Sequence, residues 1–132
     1  MDGTEQTRDV TLRYLEAVKT GDVDTMDRLQ HRDASWWVLG GGTMTREVFM
    51  GLVRTMFATI TERSITVTGL TIEGERAAIE LDGEMTFPDS IYRNSYHNLL
   101  VVRDGLIVEG KEYMDTQAVA RAFGGRTAAG SG

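Results

Sequence analysis

The sequence predicts an α+β fold in which three helices fill the concave face of a strongly bent, mostly antiparallel sheet. Up to residue 60, apolar residues recur at helical spacing, and after Thr61 they alternate with polar residues at strand spacing. Asp104-Gly105 is a strong two-residue hairpin signal between two of the strands. Helices followed by hairpin-linked strands are typical of the α+β class. A pocket is expected between the helix layer and the sheet.

The first helix is predicted where Val10, Tyr14 and Val18 lie four residues apart on one face. Gly21 is expected to end this helix, since glycine adopts the left-handed conformation that closes helices. Asp22 is then placed to N-cap a short second helix. These signals predict two consecutive helices before the first strand.

The segment "ASWWVL", residues 34–39, is predicted to be a strand with one tryptophan facing inward and the other outward or into a dimer interface. Residues 40–42, all glycine, are expected to form a loop. Thr45 is expected to N-cap the third helix. The broad apolar face of that helix is formed by Val48, Phe49, Leu52, Val53, Met56 and Phe57.

Four further strands are predicted after residue 61, and glycine-containing pairs mark their turns and irregularities. Gly74-Glu75 and Asp104-Gly105 are expected to be turns, whereas Asp82-Gly83 is expected to mark a bulge or bend within a strand. The single domain is predicted to span residues 1–123, followed by a flexible Gly/Ala/Ser-rich tail at 124–132. The strand segments are "SITVTGLTIEG", "RAAIELDGEMTF", "NSYHNLLVVRDG" and "LIVEGKEYMDT".

Composition excludes several classes of function. The chain has 132 residues, enough for one domain, and a net charge of −6 that argues against a nucleic acid or a membrane surface as partner. It has no cysteine, which excludes disulfides and thiol nucleophiles, and its two histidines lack metal-ligand spacing. No cofactor is expected. The start of the chain does not resemble a signal peptide, and a cytoplasmic location is the expectation.

Two segments resemble a known superfamily. "RYLEAVKTGDVDTMDRLQHRDASWWV" resembles ketosteroid isomerase in its R-Y, G-D-x-D and D-A spacings. "YRNSYHNLLVVRDGLIVEGKEYMDT" is similar to the Y-x-N-x-Y, R-D-G-K-I and E-Y-x-D pattern of SnoaL-like polyketide cyclases. The resemblance covers most of residues 10–117 and implies the cone-shaped α+β barrel of the nuclear transport factor 2-like superfamily. It also implies a homodimer formed through the convex face of the sheet.

The resemblance places an acid/base residue at Glu112, just before the aromatic residue of the last strand. The family position two residues earlier, often His or Trp, is Gly110, which removes a wall or helper. Related epoxide hydrolases hold an Arg and an Asp where this chain has Glu80 and Asp82, and a water-holding Tyr where it has Trp36. Epoxide hydrolysis is therefore not expected.

Ketosteroid isomerase supplies a second comparison. Its oxyanion-hole tyrosine corresponds to Tyr14, and its second donor falls near Asn98, whose amide can still donate a hydrogen bond. Its general-base aspartate falls at Val38, which accepts no proton. Two donors without their base do not predict that isomerase reaction.

The residues also allow predictions from their own chemistry, with the alternatives left open. Glu112 either lies among apolar groups that raise its pKa or is a solvated surface glutamate. Glu80, Asp82 and Glu84 share one strand face and are expected to form a solvent- or dimer-facing acidic stripe; if one enters the pocket, it is Glu80 or Asp82. Tyr14 is either a core tyrosine or a donor in the cavity.

The fourth predicted strand offers a second polar set. Asn94, Tyr96 and Asn98 alternate on one face, which the family pattern assigns to the cavity, where they would orient a ligand oxygen. A register slip of one residue would instead bring His97 inside. Trp36 and Met56 either line an apolar pocket or pack in the core.

The sequence therefore predicts a small cofactor-independent enzyme for cyclisation, isomerisation or dehydration of a hydrophobic, oxygen-bearing small molecule such as a polyketide or terpenoid intermediate. In this hypothesis Glu112 is the acid/base, and Tyr14 with Asn98 or Tyr96 stabilises an enolate oxygen. The alternative is a non-catalytic binding or dimerisation domain of the same fold. A third possibility is a small subunit of a larger oxygenase.

Overall fold

The computed structural model describes residues 3–131, with side chains described as far as residue 124. The helices are α1 (Thr4–Thr20), α2 (Val23–Arg28), α3 (Arg46–Thr59) and α4 (Thr116–Ser131). The strands are β1 (Gln30–Val38), β2 (Gly42–Thr45), β3 (Glu62–Glu73), β4 (Arg76–Phe87), β5 (Ser90–Arg103) and β6 (Leu106–Met114). They form one sheet of order β2-β1-β6-β5-β4-β3, and within it β1 and β6 pair in parallel while the other neighbours pair antiparallel. The predicted α+β class is confirmed.

The helix ends follow the local signals of the sequence. Gly21 closes α1 with a φ of 75°. The Asp22 side chain accepts a hydrogen bond from the backbone N–H of Thr25 at 3.1 Å, and Thr45 caps α3 in the same way at 3.2 Å from the N–H of Val48. The caps predicted for α2 and α3 are thus confirmed. No helix of the described part of the chain has the length and apolar character needed to cross a membrane.

Two elements of the fold, β2 and α4, depart from the sequence prediction. Gly42, expected in a loop, begins the short strand β2, which pairs with β1. Helix α4 was not predicted; it packs through Phe123, whose ring centroid lies 5.5 Å from that of Phe87 and 5.0 Å from that of Tyr92. The flexible tail predicted at 124–132 falls on positions whose side chains are almost all outside the described part, so it stays a prediction.

The irregularity predicted at Asp82-Gly83 lies elsewhere. Both residues pair in regular register with β3 and β5, whereas the register shift is on β3, between Val67 and Gly69. A Cβ added at Gly83 would lie 3.4 Å from Tyr96 Cε1, an ordinary van der Waals contact. The predicted bulge is therefore absent from Asp82-Gly83, and the packing there does not require a glycine.

Strand alternation gives the sheet two different faces. The concave side of β4 carries buried apolar residues, while Glu80, Asp82 and Glu84 lie on the convex side. Two of these acids have polar partners there: Arg93 Nε lies 2.6 Å from Glu84, and Ser95 donates to Asp82 at 2.8 Å. The three acids thus form a stripe on the convex side of the sheet. The concave residues of β4 are Ala77, Ile79, Leu81, Met85 and Phe87.

Candidate active site

Glu112 lies near the end of β6, in the middle of the concave face. Its backbone pairs with Val38 on β1 and with Asn98 on β5, and its carbonyl oxygen accepts a hydrogen bond from the N–H of Leu39 at 2.9 Å. The residue is half-buried. Burial raises the pKa of its carboxyl group from the usual 4.5 to about 7. Within the described residues, no side chain hydrogen-bonds the carboxylate, so its oxygens are free to meet a ligand.

Two tyrosines from opposite layers lie within the electrostatic field of Glu112. Tyr14 comes from α1, where burial and, to a smaller extent, the charge of Glu112 raise its pKa well above the usual 10.0. Tyr96 comes from β5, and burial first, then the neighbouring Tyr92 and finally Glu112, raises its pKa as well. Both phenols therefore stay protonated and keep a hydroxyl group that is able to donate a hydrogen bond.

Asn98 is held next to Glu112 with its amide in a defined orientation. Its Oδ1 accepts a hydrogen bond from the backbone N–H of Tyr113 at 3.2 Å. Because the oxygen is engaged with an N–H donor, the amide NH2 group is the part of the side chain left to donate. Tyr96, Asn98 and Glu112 therefore share the concave face of the sheet, and the charge of Glu112 also acts on Tyr14 of α1.

Trp36 fills the space above Gly110. The indole is 2% exposed and stacks on Phe49 at a centroid distance of 4.0 Å, with Tyr14 on the same side of the sheet at 5.9 Å. A Cβ added at Gly110 would lie 2.2 Å from Trp36 Cζ3, so glycine is required by the ring. The wall expected to be missing at Gly110 is supplied by Trp36 from the neighbouring strand.

Gln30 is a site residue that the sequence reasoning missed. Its Oε1 accepts a hydrogen bond from Trp36 Nε1 at 2.8 Å, and its Nε2 donates to the carbonyl oxygen of Met26 at 3.1 Å. The side chain is buried and fixes the plane of the indole ring. A glutamine six residues before a tryptophan gives no recognisable signal for this contact in a single sequence.

Asn94 faces the concave side as predicted, but its hydrogen-bonding capacity is already used. Its Oδ1 accepts from the N–H of Ser95 at 2.8 Å and of Asp115 at 3.1 Å. Its Nδ2 donates to the carbonyl oxygen of Asp115 at 2.9 Å and to the hydroxyl of Tyr92 at 2.7 Å. A primary amide offers two donors and two acceptor sites, so nothing remains for a ligand. The ligand-binding role of Asn94 stays a prediction, and its amide is engaged within the protein.

Glu80, Asp82 and His97, predicted as ligand-binding residues, are not brought to this site. Glu80 and His97 are backbone partners, as are Asp82 and Ser95, and all four side chains are exposed. Since Asn98 faces Glu112, the odd-numbered neighbour His97 must point to the convex side. Met56 is half-buried on α3 and packs against the core.

A groove of about 610 Å3 lies apart from Glu112, where Asp82, Glu84, Arg93 and Ser95 of the convex face meet Arg121 of α4. Its acidic groups are already engaged, Glu84 with Arg93 and Asp82 with Ser95. No three His, Asp or Glu side chains cluster as metal ligands among the described residues. Glu112 differs from these acids because burial raises its pKa to about 7, which suits proton transfer.

The family assignment rests on a match over most of the chain. Residues 11–110 match the model of the SnoaL-like domain. The chain belongs to the SnoaL-like family. The comparison with curated proteins found no match.

Solved structures share the fold of this SnoaL-like domain. IdmH from Streptomyces antibioticus, a candidate polyketide cyclase, superposes with a TM-score of 0.75 at 23% identity, covering 90% of this chain and 99% of IdmH. An LEH-like epoxide hydrolase from M. tuberculosis gives 0.77 at 17% identity, covering 91% and 93%. The BvnE pinacolase from Penicillium brevicompactum gives 0.83 at 16% identity, covering 95% and 92%. At these identities the likeness establishes the fold, and the relatives include enzymes of different reaction types.

Proposed function

We propose that this SnoaL-like protein is a cofactor-independent enzyme that moves a proton next to a carbonyl group of a hydrophobic small molecule. The observation that supports the proposal is Glu112, whose burial raises its pKa to about 7, whose carboxyl group accepts no side-chain hydrogen bond among the described residues, and whose charge acts on the phenols of Tyr14 and Tyr96. A base whose pKa lies near the working pH is efficient in both directions of proton transfer.

The reaction begins with the Glu112 carboxylate taking a proton from the carbon next to the substrate carbonyl. The electron pair of that C–H bond moves into an enolate, whose oxygen receives hydrogen bonds from Tyr14, Tyr96 or the Asn98 amide. The protonated Glu112 then returns the proton to another carbon, for isomerisation, or to a leaving hydroxyl group, for dehydration. In a cyclisation the enolate carbon attacks a second carbonyl, and Glu112 protonates the new alkoxide.

The walls of the site favour an apolar substrate with few oxygen atoms. Trp36 and Phe49 form an aromatic stack beside the polar groups, and Val38 lies next to Glu112 on the adjoining strand. An apolar pocket with a few convergent polar groups suits a polyketide or terpenoid intermediate. These neutral donors and one carboxyl group perform the chemistry without a cofactor.

Exchange of carbon-bound protons tests the proposal directly. The ketone 2-tetralone in D2O exchanges the protons next to its carbonyl, and NMR measures the rate. The wild type should accelerate this exchange, and Glu112→Gln should lower the acceleration by roughly 10²- to 10⁴-fold. Glu80→Gln, the same change on the convex face, should leave it unchanged. Equal exchange rates for the wild type and folded Glu112→Gln would remove Glu112 from the mechanism.

The second candidate is a binding domain of the same fold that does not turn its ligand over. Val38 supplies no second base, and Trp36 narrows the site above Gly110. Binding of 2-tetralone to the wild type without any acceleration of exchange would favour this function.

A further inference from the structure

The hydroxyl groups of Tyr92 and Tyr96 form a polar pair on the concave face of β5. Their oxygens lie 3.0 Å apart, so that the two groups share a hydrogen bond that either hydroxyl can donate. Asn94 Nδ2 donates a second hydrogen bond to the Tyr92 oxygen at 2.7 Å. The direction of this second bond is fixed, because Asn94 Oδ1 is already engaged by the N–H groups of Ser95 and Asp115.

One of the two hydroxyl protons of the pair has no acceptor within the pair. Two hydroxyl groups carry two protons, and only one lies between them. With Tyr96 donating, the remaining proton belongs to Tyr92, which is 5% exposed, lies against the ring of Phe123 and has no acceptor for it among the described residues. A buried donor without an acceptor costs about 1–3 kcal/mol. The alternative, with Tyr92 donating to Tyr96, satisfies Tyr92 and leaves the proton of Tyr96 free.

Tyr96 is the member of the pair that lies nearer to Glu112. It is two residues from Asn98, the backbone partner of Glu112, and so shares the concave face with both. Tyr96 is also half-buried, whereas Tyr92 is buried. Its proton is therefore the one that a ligand oxygen beside Glu112 would accept.

We propose that Tyr92 donates its proton to Tyr96, and that Tyr96 in turn donates to a carbonyl or enolate oxygen bound next to it. Asn94 and Tyr92 are positioning residues, because the donor fixed on Asn94 makes the Tyr92 oxygen an acceptor from one side and leaves its proton for Tyr96. The inference rests on the proposed function, since it requires an oxygen-bearing ligand beside Glu112.

The hydrogen bond from Tyr96 to a bound ketone can be measured by infrared spectroscopy. The probe is 2-tetralone labelled with 13C at the carbonyl, and the measured quantity is its carbonyl stretching frequency. A hydrogen bond lowers the carbonyl stretching frequency, so the wild type should show a band below that of the ketone in an apolar solvent. Tyr96→Phe should lose that shift. Tyr92→Phe should keep the ketone bound with roughly two- to tenfold lower affinity and lose part of the shift. Tyr113→Phe, on the convex face, should match the wild type.

A second variant tests the direction of the chain while both tyrosines remain. Asn94→Asp exchanges the donor that faces Tyr92 for an acceptor, so Tyr92 should give its proton to the new carboxylate. Tyr96 would then donate its proton to the Tyr92 oxygen instead of to the ketone, and the shift of the carbonyl band should be lost. A purely structural role for Asn94 predicts lower stability with an unchanged band in the folded fraction.

The outcomes separate this inference from the proposed function. Ketone bound to the wild type, with the same band in Tyr92→Phe and Asn94→Asp, would overturn the donation from Tyr92 to Tyr96 and leave Glu112 as the base. A bound ketone whose band is unshifted in the wild type would overturn the role of Tyr96. A wild type that neither binds the ketone nor accelerates its exchange would overturn both proposals.

Discussion

At the scale of single residues, the features that prepare Glu112 for chemistry also make it costly to the fold. An ionised carboxylate without hydrogen bonds in a half-buried recess is poorly solvated, which is why its pKa rises to about 7. Tyr14 and Tyr96 lessen this cost only when a proton of theirs is directed toward the carboxylate. Stability and the charge of this residue are therefore linked.

The link predicts a pH-dependent gain in stability for Glu112→Gln. Below about pH 4.5 the carboxyl is protonated in both the folded and the unfolded chain, so it adds no pH-dependent penalty. Between pH 4.5 and 7 the unfolded chain ionises first and the wild type loses stability; above pH 7 the loss is complete, about 1–3 kcal/mol after allowance for solvent screening. Urea unfolding at pH 4 and pH 8 measures it. An equal difference between variant and wild type at both pH values would contradict the raised pKa.

Substituting alanine for Gly110 and for Gly51 is expected to change the free energy of unfolding in opposite directions. Gly110→Ala forces a methyl group to within 2.2–2.6 Å of the Trp36 ring, which Phe49 and Gln30 hold in place, so it should destabilise by about 1–3 kcal/mol. Gly51→Ala adds its methyl group to open space on α3 and should stabilise by up to about 1 kcal/mol. Thermal unfolding of both variants checks the pair; a neutral Gly110→Ala would show that Trp36 is free to move.

At the scale of elements, strand alternation carries most of what the sequence predicts about the site. Once β5 is a strand, Tyr96 and Asn98 must share a face and His97 the other, and a helix cap such as Asp22 needs only residues three positions away. The contacts that escaped prediction join distant positions. Trp36 over Gly110 crosses 74 positions of the chain, from β1 to β6, and depends on a parallel register that no local pattern encodes.

Asn94 also makes a contact between distant positions, because it joins β5 to the residue before α4. Its amide mimics a strand partner for the peptide group of Asp115 and so holds the start of α4 against β5. Asn94→Ala should destabilise by about 1–3 kcal/mol, because it leaves buried groups unpaired. Hydrogen exchange should speed up at the start of α4. Ser95→Ala, the exposed neighbour on the convex face, should do neither; faster exchange throughout the protein without preference for α4 would argue against the bridge.

At the scale of the whole molecule, the curled sheet separates two surfaces of different chemistry. The concave side isolates one carboxyl group among phenols and apolar side chains, while the convex side carries the paired acids of β4. Beyond those acids lies an apolar centre interrupted by Lys111. Trp37 of β1 contacts Tyr113 of β6 at a ring-centroid distance of 5.0 Å, and Leu99 of β5 is half-buried on the other side of Lys111. The inward tryptophan of the pair is Trp36, and Trp37 faces outward, as the sequence predicts.

The apolar centre of the convex face is where we expect the predicted homodimer to form. A two-fold contact there would bury Trp37, Leu99 and Tyr113 against their own copies and surround them with charged side chains, the arrangement typical of protein interfaces. Tyr113→Glu places a charge in the centre of that contact and should give a monomer in sedimentation velocity, with the fold preserved by circular dichroism. Leu52→Glu introduces the same charge at a leucine of α3 that is 58% exposed and should leave the dimer intact. A monomeric wild type, or a dimer lost only in Leu52→Glu, would place the association elsewhere or remove it.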